Sequence, residues 1–489
     1  MNLSDISAQT LPSQLKFSEM TPLGVSARAK KVKFLPQNAG DYTNVNNIIR
    51  IPISSSTSFL DPSSTALKFL FTNTSGQTVQ FDGSAHSVIQ RMRLTSKSGG
   101  MDLEDIRNYG QLVNMLSDLQ YGNQQRFCKS EQGYGYGGLL SAPYAAQPAS
   151  NAQTVAQLAT SLGLTLGAPG AVTAFTALGA GAGAAANVAI PAIIAQDASA
   201  GNSETALGCG EFSMANNGYF TAVLPLLSGL IGAGASKYLP LFLTGDLMLE
   251  IELASSYKPY VSASDAANGG FKIQNVELHC QLVEFGGDIN SALKAMCDRS
   301  GLYLHGKSWR SYFNSINAVQ NPSILISERL KSIKSAFLTF SLTQANSQAR
   351  SMARHHGGVT GLQLKIGSEF YPNSALQGNG SDEKSNSEYI LETMKAIGEY
   401  CNVSHNSLIC SKNFASGDAT LASCGRAVYG IDLDAFTKSN IESGVNSVLN
   451  NPINVMVTSG GVANLNAYVY LYYDCIFNIS PNGSFSVSC

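Results

Sequence analysis

The sequence predicts an all-β chain built as two antiparallel β-sandwiches in succession, and three observations carry that expectation. The chain has 489 residues, too many for one ordinary domain and suited to two. Charged residues make up 13% of it, against roughly 25% in an average soluble domain. Gly, Ser, Thr and Asn take their place, which excludes coiled coils, charged disordered tails and helical enzymes laced with Glu–Lys faces. Short runs of alternating or β-branched residues, punctuated by turn residues, recur through both halves, with one helical pattern in each.

Residues 1–45 read as an extended N-terminal arm, polar and carrying the basic cluster Arg28, Lys30, Lys31 and Lys33. That cluster is either a solvated surface or a contact for nucleic acid. The first domain is expected at 46–290. Asn47–Ile53 and Ala66–Thr72 are strand runs, separated by turn signals at Asp61-Pro62 and Asn73 to Gly76, and His86–Thr95 is a third run. In Asp102–Gln120 the residues Ile106, Leu112, Val113, Leu116 and Leu119 recur at helical spacing, with Asp102 as N-cap. A Gly/Ala-rich insertion at 121–215 follows, whose composition builds little core. Strands return at Tyr219–Leu224, Leu247–Leu253 and Phe271–Phe285. In the last, Val276, Leu278, Cys280 and Leu282 share one face.

A polar helix or linker at Asp288–Ser300 marks the domain boundary, and 291–489 repeats the outline. Strand runs lie at Lys307–Ile316, Ala336–Thr343 and Gly361–Phe370. A helix is expected at Asn386–Cys401, with a capping box from Ser385 and Glu388. Runs at Arg426–Asp432, Ile453–Thr458 and Ala463–Ile479 precede a closing hairpin through Pro481-Asn482-Gly483. Strands, helix, strands and a long closing strand, twice over, predict two successive eight-stranded antiparallel jelly rolls.

Chemistry-bearing motifs are sparse. Gly301 to Ser308 matches the phosphate-loop pattern GxxxxGKS, with Lys307 and Ser308 as phosphate and Mg²⁺ contacts and Asp474 as an acidic partner. The required strand before it and helix after it are missing, and Leu302, Tyr303 and Leu304 are bulky. Gly133, Gly135 and Gly138 satisfy GxGxxG without a preceding strand. His355 and His356 are adjacent, which on a regular element sends them to different sides, so with Arg350 and Arg354 they read as a basic loop rather than a metal site. Nine scattered cysteines without a CxxC predict reduced thiols and folding in the cytoplasm or nucleus. The N-terminus predicts no secretory leader. The uncharged stretch from Leu139 to Ala195 is broken by four prolines and is too rich in small residues to predict a transmembrane helix. No catalytic residue, cofactor site or metal site is expected.

An ordered series of segments carries a resemblance. In the first half it comprises FDGSAHSVIQRMRL (81–94), LEDIRNYGQLVNML (103–116), LPLFLTGDLMLEIELA (239–254) and VELHCQLVEF (276–285). In the second it comprises LQLKIGSEFYP (362–372), EYILETMKAIGEY (388–400), VYGIDLDAF (428–436), ESGVN (442–446) and YYDCIFNISPNGSFSVS (472–488). In this series the chain resembles the double jelly-roll major capsid proteins of polinton-like viruses, virophages and related small double-stranded DNA viruses. The resemblance implies a structural protein of the virion, made in the host cytoplasm or nucleus. It implies homotrimers that form pseudo-hexagonal capsomers tiling an icosahedral shell. The partners would be neighbouring capsomers, a penton protein and minor capsid proteins, with weak or no direct nucleic-acid contact and an internal membrane left open. The 1–45 arm, with Arg28, Lys30, Lys31 and Lys33, would tie neighbours on the inner side, and loops such as 121–215 would stand at the outer tower or between subunits. Two other classes stay open: a β-sandwich spike, adhesion or carbohydrate-binding protein, and a P-loop enzyme acting through Gly301–Ser308.

Overall fold

The fold is described from a computed structural model. It covers residues 26–134 and 214–489, apart from short stretches at 39, 78, 97–99, 123–124, 127–128, 215, 233, 236, 255–258, 263–269, 344–350, 401, 403, 418–424, 436–442, 449–451 and 482–483. Most of the expected 121–215 insertion, including Gly135 and Gly138, therefore lies outside the described residues, as does Arg350.

Among the described residues, eight strands build the principal sheets of the first half: β1 (Ala27–Phe34), β2 (Ile48–Ile53), β3 (Phe59–Asn73), β4 (Ile89–Ser96), β5 (Met101–Arg107), β6 (Tyr219–Pro225), β7 (Leu247–Leu253) and β8 (Phe271–Phe285), with the short strands Tyr42–Thr43, Val79–Phe81, Leu239–Pro240 and Tyr260–Ser262 beside them. Their two principal sheets run β1-β8-β3-β6 and β2-β7-β4-β5, all antiparallel. The second half has β9 (Leu302–Ser315), β10 (Ser323–Ile326), β11 (Ile333–Leu342), β12 (Val359–Ile366), β13 (Glu369–Gln377), β14 (Tyr429–Asp432), β15 (Ile453–Ser459) and β16 (Leu465–Ile479). Its sheets run β9-β16-β11-β14 and β10-β15-β12-β13. Adding eight to each of these first-half strands reproduces the strand order of the second. The order 1-8-3-6 over 2-7-4-5 is a Greek-key jelly roll, and the chain contains it twice. Each half also carries a helix between its fifth and sixth strands, α1 (Tyr109–Gln120) and, after the linking helix α2 (Gly287–Ser300), α3 (Ser387–Ala396).

Alternation explains the sheets. Along β7, Leu247, Leu249, Ile251 and Leu253 are buried while Met248, Glu250 and Glu252 face outward. The closing strands β8 and β16 are the centres of their sheets. Each pairs with the first and third strands of its half, so each must present apolar side chains through its whole length.

Five expectations need correction. Residues 27–34 of the expected arm are β1, bound to β8 from Ala27↔Phe285 to Phe34↔Leu278. Charge disguised this strand, because only Val32 and Phe34 point into the sandwich. The helix expected over Asp102–Gln120 begins at Tyr109. Its first third is β5, and Asp102 pairs with Arg93 of β4 instead of capping. A bulge opposite Leu94/Thr95 buries Leu103 and Glu104 in succession, which breaks the period of two and imitates helical spacing.

Asp61-Pro62 makes its turn inside β3. The register jumps there from Ala66↔His279 to Asp61↔Gln281, and Ser63 N donates to Asp61 Oδ1. Helix α3 stops at Ala396, five residues short, ahead of Gly398 at φ 78°. The capping box does not form: Asn386 is the N-cap, Ser385 Oγ donates to Asp382, and the Glu388 carboxylate accepts from Gln377 N. Among the described residues no helix is long and apolar enough to cross a membrane.

Candidate functional site: the seam between the halves

The residues singled out for nucleotide chemistry sit in a strand. Leu302 to Ser308 pair with β16 from Ile479 to Tyr473, so no loop is present to cradle phosphate. Gly306, Lys307 and Ser308 each answer to the first half of the chain. A Cβ on Gly306 would stand 2.1 Å from Gly229 O, which only glycine permits. Lys307 N donates to Gly234 O at 3.2 Å. Ser308 Oγ donates to Glu104 Oε1 at 2.5 Å. Asp474, the acid proposed for the motif, accepts from Ser332 Oγ and pairs with Lys334 Nζ at 3.5 Å.

Three buried carboxylates bridge the seam, besides other polar contacts across it. Glu104, fully buried on the β5 bulge, accepts from Ser228, Gly229 N and, across the seam, Ser308. Burial raises its pKa, and these donors oppose the rise. Asp82 accepts from Ser351 Oγ at 3.1 Å and Met352 N at 2.8 Å. Asp118 of α1 takes one guanidinium from its own half, Arg126, and two from the other, Arg354 and Arg426. All four side chains are more than nine-tenths buried. Burial alone would raise the Asp118 pKa, but the three guanidiniums outweigh it and hold the carboxyl well below the usual range. Sequence reading missed Asp118 and read Arg354 as part of a basic loop; the structure buries its guanidinium against Asp118. No local signal marks a surface-type residue that its partners on another domain will cover.

His355 and His356 lie ring against ring with centroids 4.2 Å apart, at a turn where Gly357 and Gly358 have positive φ. Their Nδ1 atoms accept from Gly357 N and Gly358 N, and burial lowers both pKa values. Among the described residues no group of three or more His, Cys, Asp or Glu is arranged to hold a metal. Cys280, Cys297, Cys410, Cys475 and Cys489 are free thiols.

The basic cluster divides along β1. Lys31 and Lys33 lie opposite Gln281 and His279 on the outer face, while Lys30 lies opposite Leu282 near the strand's end. Lys30 pairs with Glu284 at 2.7 Å, and Lys33 with Glu277 at 3.0 Å. His279, Lys33 and Lys68 around Glu277 bring its pKa down to about 2. Lys31 has no ion-pair partner among the described residues, and Arg28 is exposed beside the Glu284 charge.

Solved structures superpose on this fold along nearly its whole length. PBCV-1 VP54, fitted into a reconstruction of the virophage Sputnik, superposes with a TM-score of 0.57 at 9% identity, over 97% of this chain and 99% of that one. The Faustovirus major capsid protein gives 0.53 at 10% identity, over 98% and 94%. A chain in the structure of the Sputnik virophage gives 0.52 at 12% identity, over 98% and 92%. The fold is the double jelly roll of viral major capsid proteins. At this identity the comparison establishes shared architecture from end to end, with both jelly rolls matched. No protein-family model matches the sequence, and no curated protein does.

Proposed function

We propose that this chain is a structural major capsid protein whose homotrimers form pseudo-hexagonal capsomers of an icosahedral virion shell. The observation that supports this most is the repeated 1-8-3-6 over 2-7-4-5 order in one chain, whose fold superposes nearly end to end on the Faustovirus major capsid protein. Three chains supply six jelly rolls, so a threefold assembly gains near-sixfold outlines and packs like a hexagon. The low charge content supports the same reading, since Ser, Thr, Asn and Tyr are buried between subunits at lower cost than unpaired charge. Polar closure of the seam joins the two jelly rolls into one building unit. On this reading the exposed charges of Arg28, Lys30, Lys31 and Lys33 contact a neighbouring capsomer or packaged nucleic acid on the inner side. Penton and minor capsid proteins complete the shell, and the chain works by assembly rather than catalysis.

Size-exclusion chromatography with light scattering tests it. The expected species has about three chain masses, roughly 155 kDa from a 51.6 kDa chain, with hexagonal outlines in negative stain. A stable monomer at micromolar concentration overturns the proposal.

A further inference from the structure

A cavity of about 210 Å³ opens where the two jelly rolls meet beside the N-terminus of α1. Its described lining contains no Asp, Glu, Lys or Arg. It has two aromatic side chains, Phe313 and Tyr468, with ring centroids 5.2 Å apart, and Phe313 is 57% exposed. It also has four amides, Gln90, Asn108, Gln111 and Asn466.

The state of those amides defines the ligand. Gln90 Nε2 donates to Asn108 Oδ1 at 2.8 Å, Gln111 Nε2 to Ser351 O at 3.3 Å, and Asn466 Nδ2 to Thr343 Oγ1 at 3.2 Å. Each of these three nitrogens spends one N–H on the protein and keeps a second, so the amides present both donors and carbonyl acceptors to the cavity. Gln111 Oε1 is buried and accepts nothing, a condition that proteins rarely leave standing. Asn108 adds an independent sign. It lies at φ 51°, in the left-handed region, at the N-cap of α1, yet its side chain accepts from Gln90 and leaves the helix uncapped. Local backbone conformation of this kind concentrates at binding sites.

We infer that this cavity is a binding site for a neutral, hydroxyl-rich small molecule, a single sugar ring. A lining without a cation disfavours phosphate and carboxylate ligands, whose charge would be left unpaired there. The lack of a carboxylate disfavours ammonium ligands. Sugar hydroxyls donate to the amide oxygens and accept from the remaining amide N–H groups, and the exposed Phe313 ring covers the apolar C–H face of the sugar. The volume lies below the ~300 Å³ at which sites for drug-sized ligands begin, so one ring enters and not a chain. This inference is independent of the capsid proposal, because it rests on the seam within one chain.

Saturation-transfer NMR on the full-length protein tests it. The neutral probes are methyl glucoside, methyl galactoside, methyl mannoside and N-acetylglucosamine at millimolar concentration. The charged probes are N-acetylneuraminic acid, inorganic phosphate and spermidine. At least one neutral probe is expected to bind. Phe313→Ala and Gln111→Leu should each weaken that binding at least tenfold, while Phe313→Tyr retains it. Phe313 is exposed, so its variants report on binding with the fold intact, as an unchanged melting temperature would verify. Failure of all four neutral probes to bind overturns the inference. So does binding of a charged probe as tight as any neutral one, or binding indifferent to both Phe313→Ala and Gln111→Leu.

Discussion

His86 sits in the single turn Ala85–Val88 that leads into β4, 2% exposed, with Nδ1 facing Ser84 Oγ at 3.2 Å and the ring beside Tyr109 and Tyr134. Burial brings its pKa down to about 4, with the Pro225 carbonyl opposing and Lys129 assisting. The folded chain therefore keeps His86 neutral while the unfolded chain takes a proton below pH ~6.5. The contribution is whole above that value and is lost as pH falls through the folded pKa. Over that window the loss is about 3 kcal/mol at most. His355, also brought down to about 4 by burial and by His356, acts in the same direction. The melting temperature should fall between pH 7 and pH 4.5, and His86→Gln should make that fall shallower. Equal falls in both proteins would refute the assignment. The sequence shows a histidine at the start of an alternating run, but its enclosure by Tyr134 and Pro225 is a tertiary fact.

At the scale of elements, β1 is a strand whose pairing rests on charge. It contributes two half-buried apolar side chains, Val32 and Phe34, and is otherwise held to β8 by the ladder and by Lys30–Glu284 and Lys33–Glu277. Glu277, with its pKa near 2 against an unfolded value of ~4.3, stabilises this edge above pH ~4.3 and ceases to as pH falls toward 2. Hydrogen exchange corrected for intrinsic rates should show β1 losing protection between pH 5 and pH 2.5, ahead of β9, its counterpart in the second half. Simultaneous loss in both strands would show that charge does not hold β1. Strand β9 was legible from Lys307 onward because Trp309, Tyr312 and Phe313 advertise it. Strand β1 was not, because an edge strand facing water on one side has the composition of an arm. The bulge in β5 misled in the opposite sense: it adds a residue to one strand, and periodicity cannot tell that from a helical turn.

The whole molecule is two copies of one topology locked at a seam, and Asp118 is the residue on which most of the lock converges. Removing the carboxylate leaves Arg126, Arg354 and Arg426 packed together without it. Breaking a buried pair of this kind costs about 3–5 kcal/mol. Asp118→Ala should therefore lower the melting temperature and separate unfolding into two transitions as the jelly rolls uncouple. One transition at the wild-type temperature would mean the seam is held elsewhere, with Glu104 and Ser308 the next pair to test.

By itself the sequence determined that the chain is β-rich, low in charge and twofold in plan. Alternation and turn residues are local properties, written into neighbours two to four positions apart. The long closing strands Phe271–Phe285 and Leu465–Ile479 could be placed within two residues for that reason. Tertiary structure alone decided which strands pair. It made the basic segment a strand, and it showed that Gly306 and Ser308 serve the seam rather than a phosphate. It also brought Asp118 to arginines more than 200 residues away and formed a sugar-sized cavity from both jelly rolls. Each of those outcomes depends on side chains distant in the chain meeting in space, where burial and partner choice, not local pattern, set the energy.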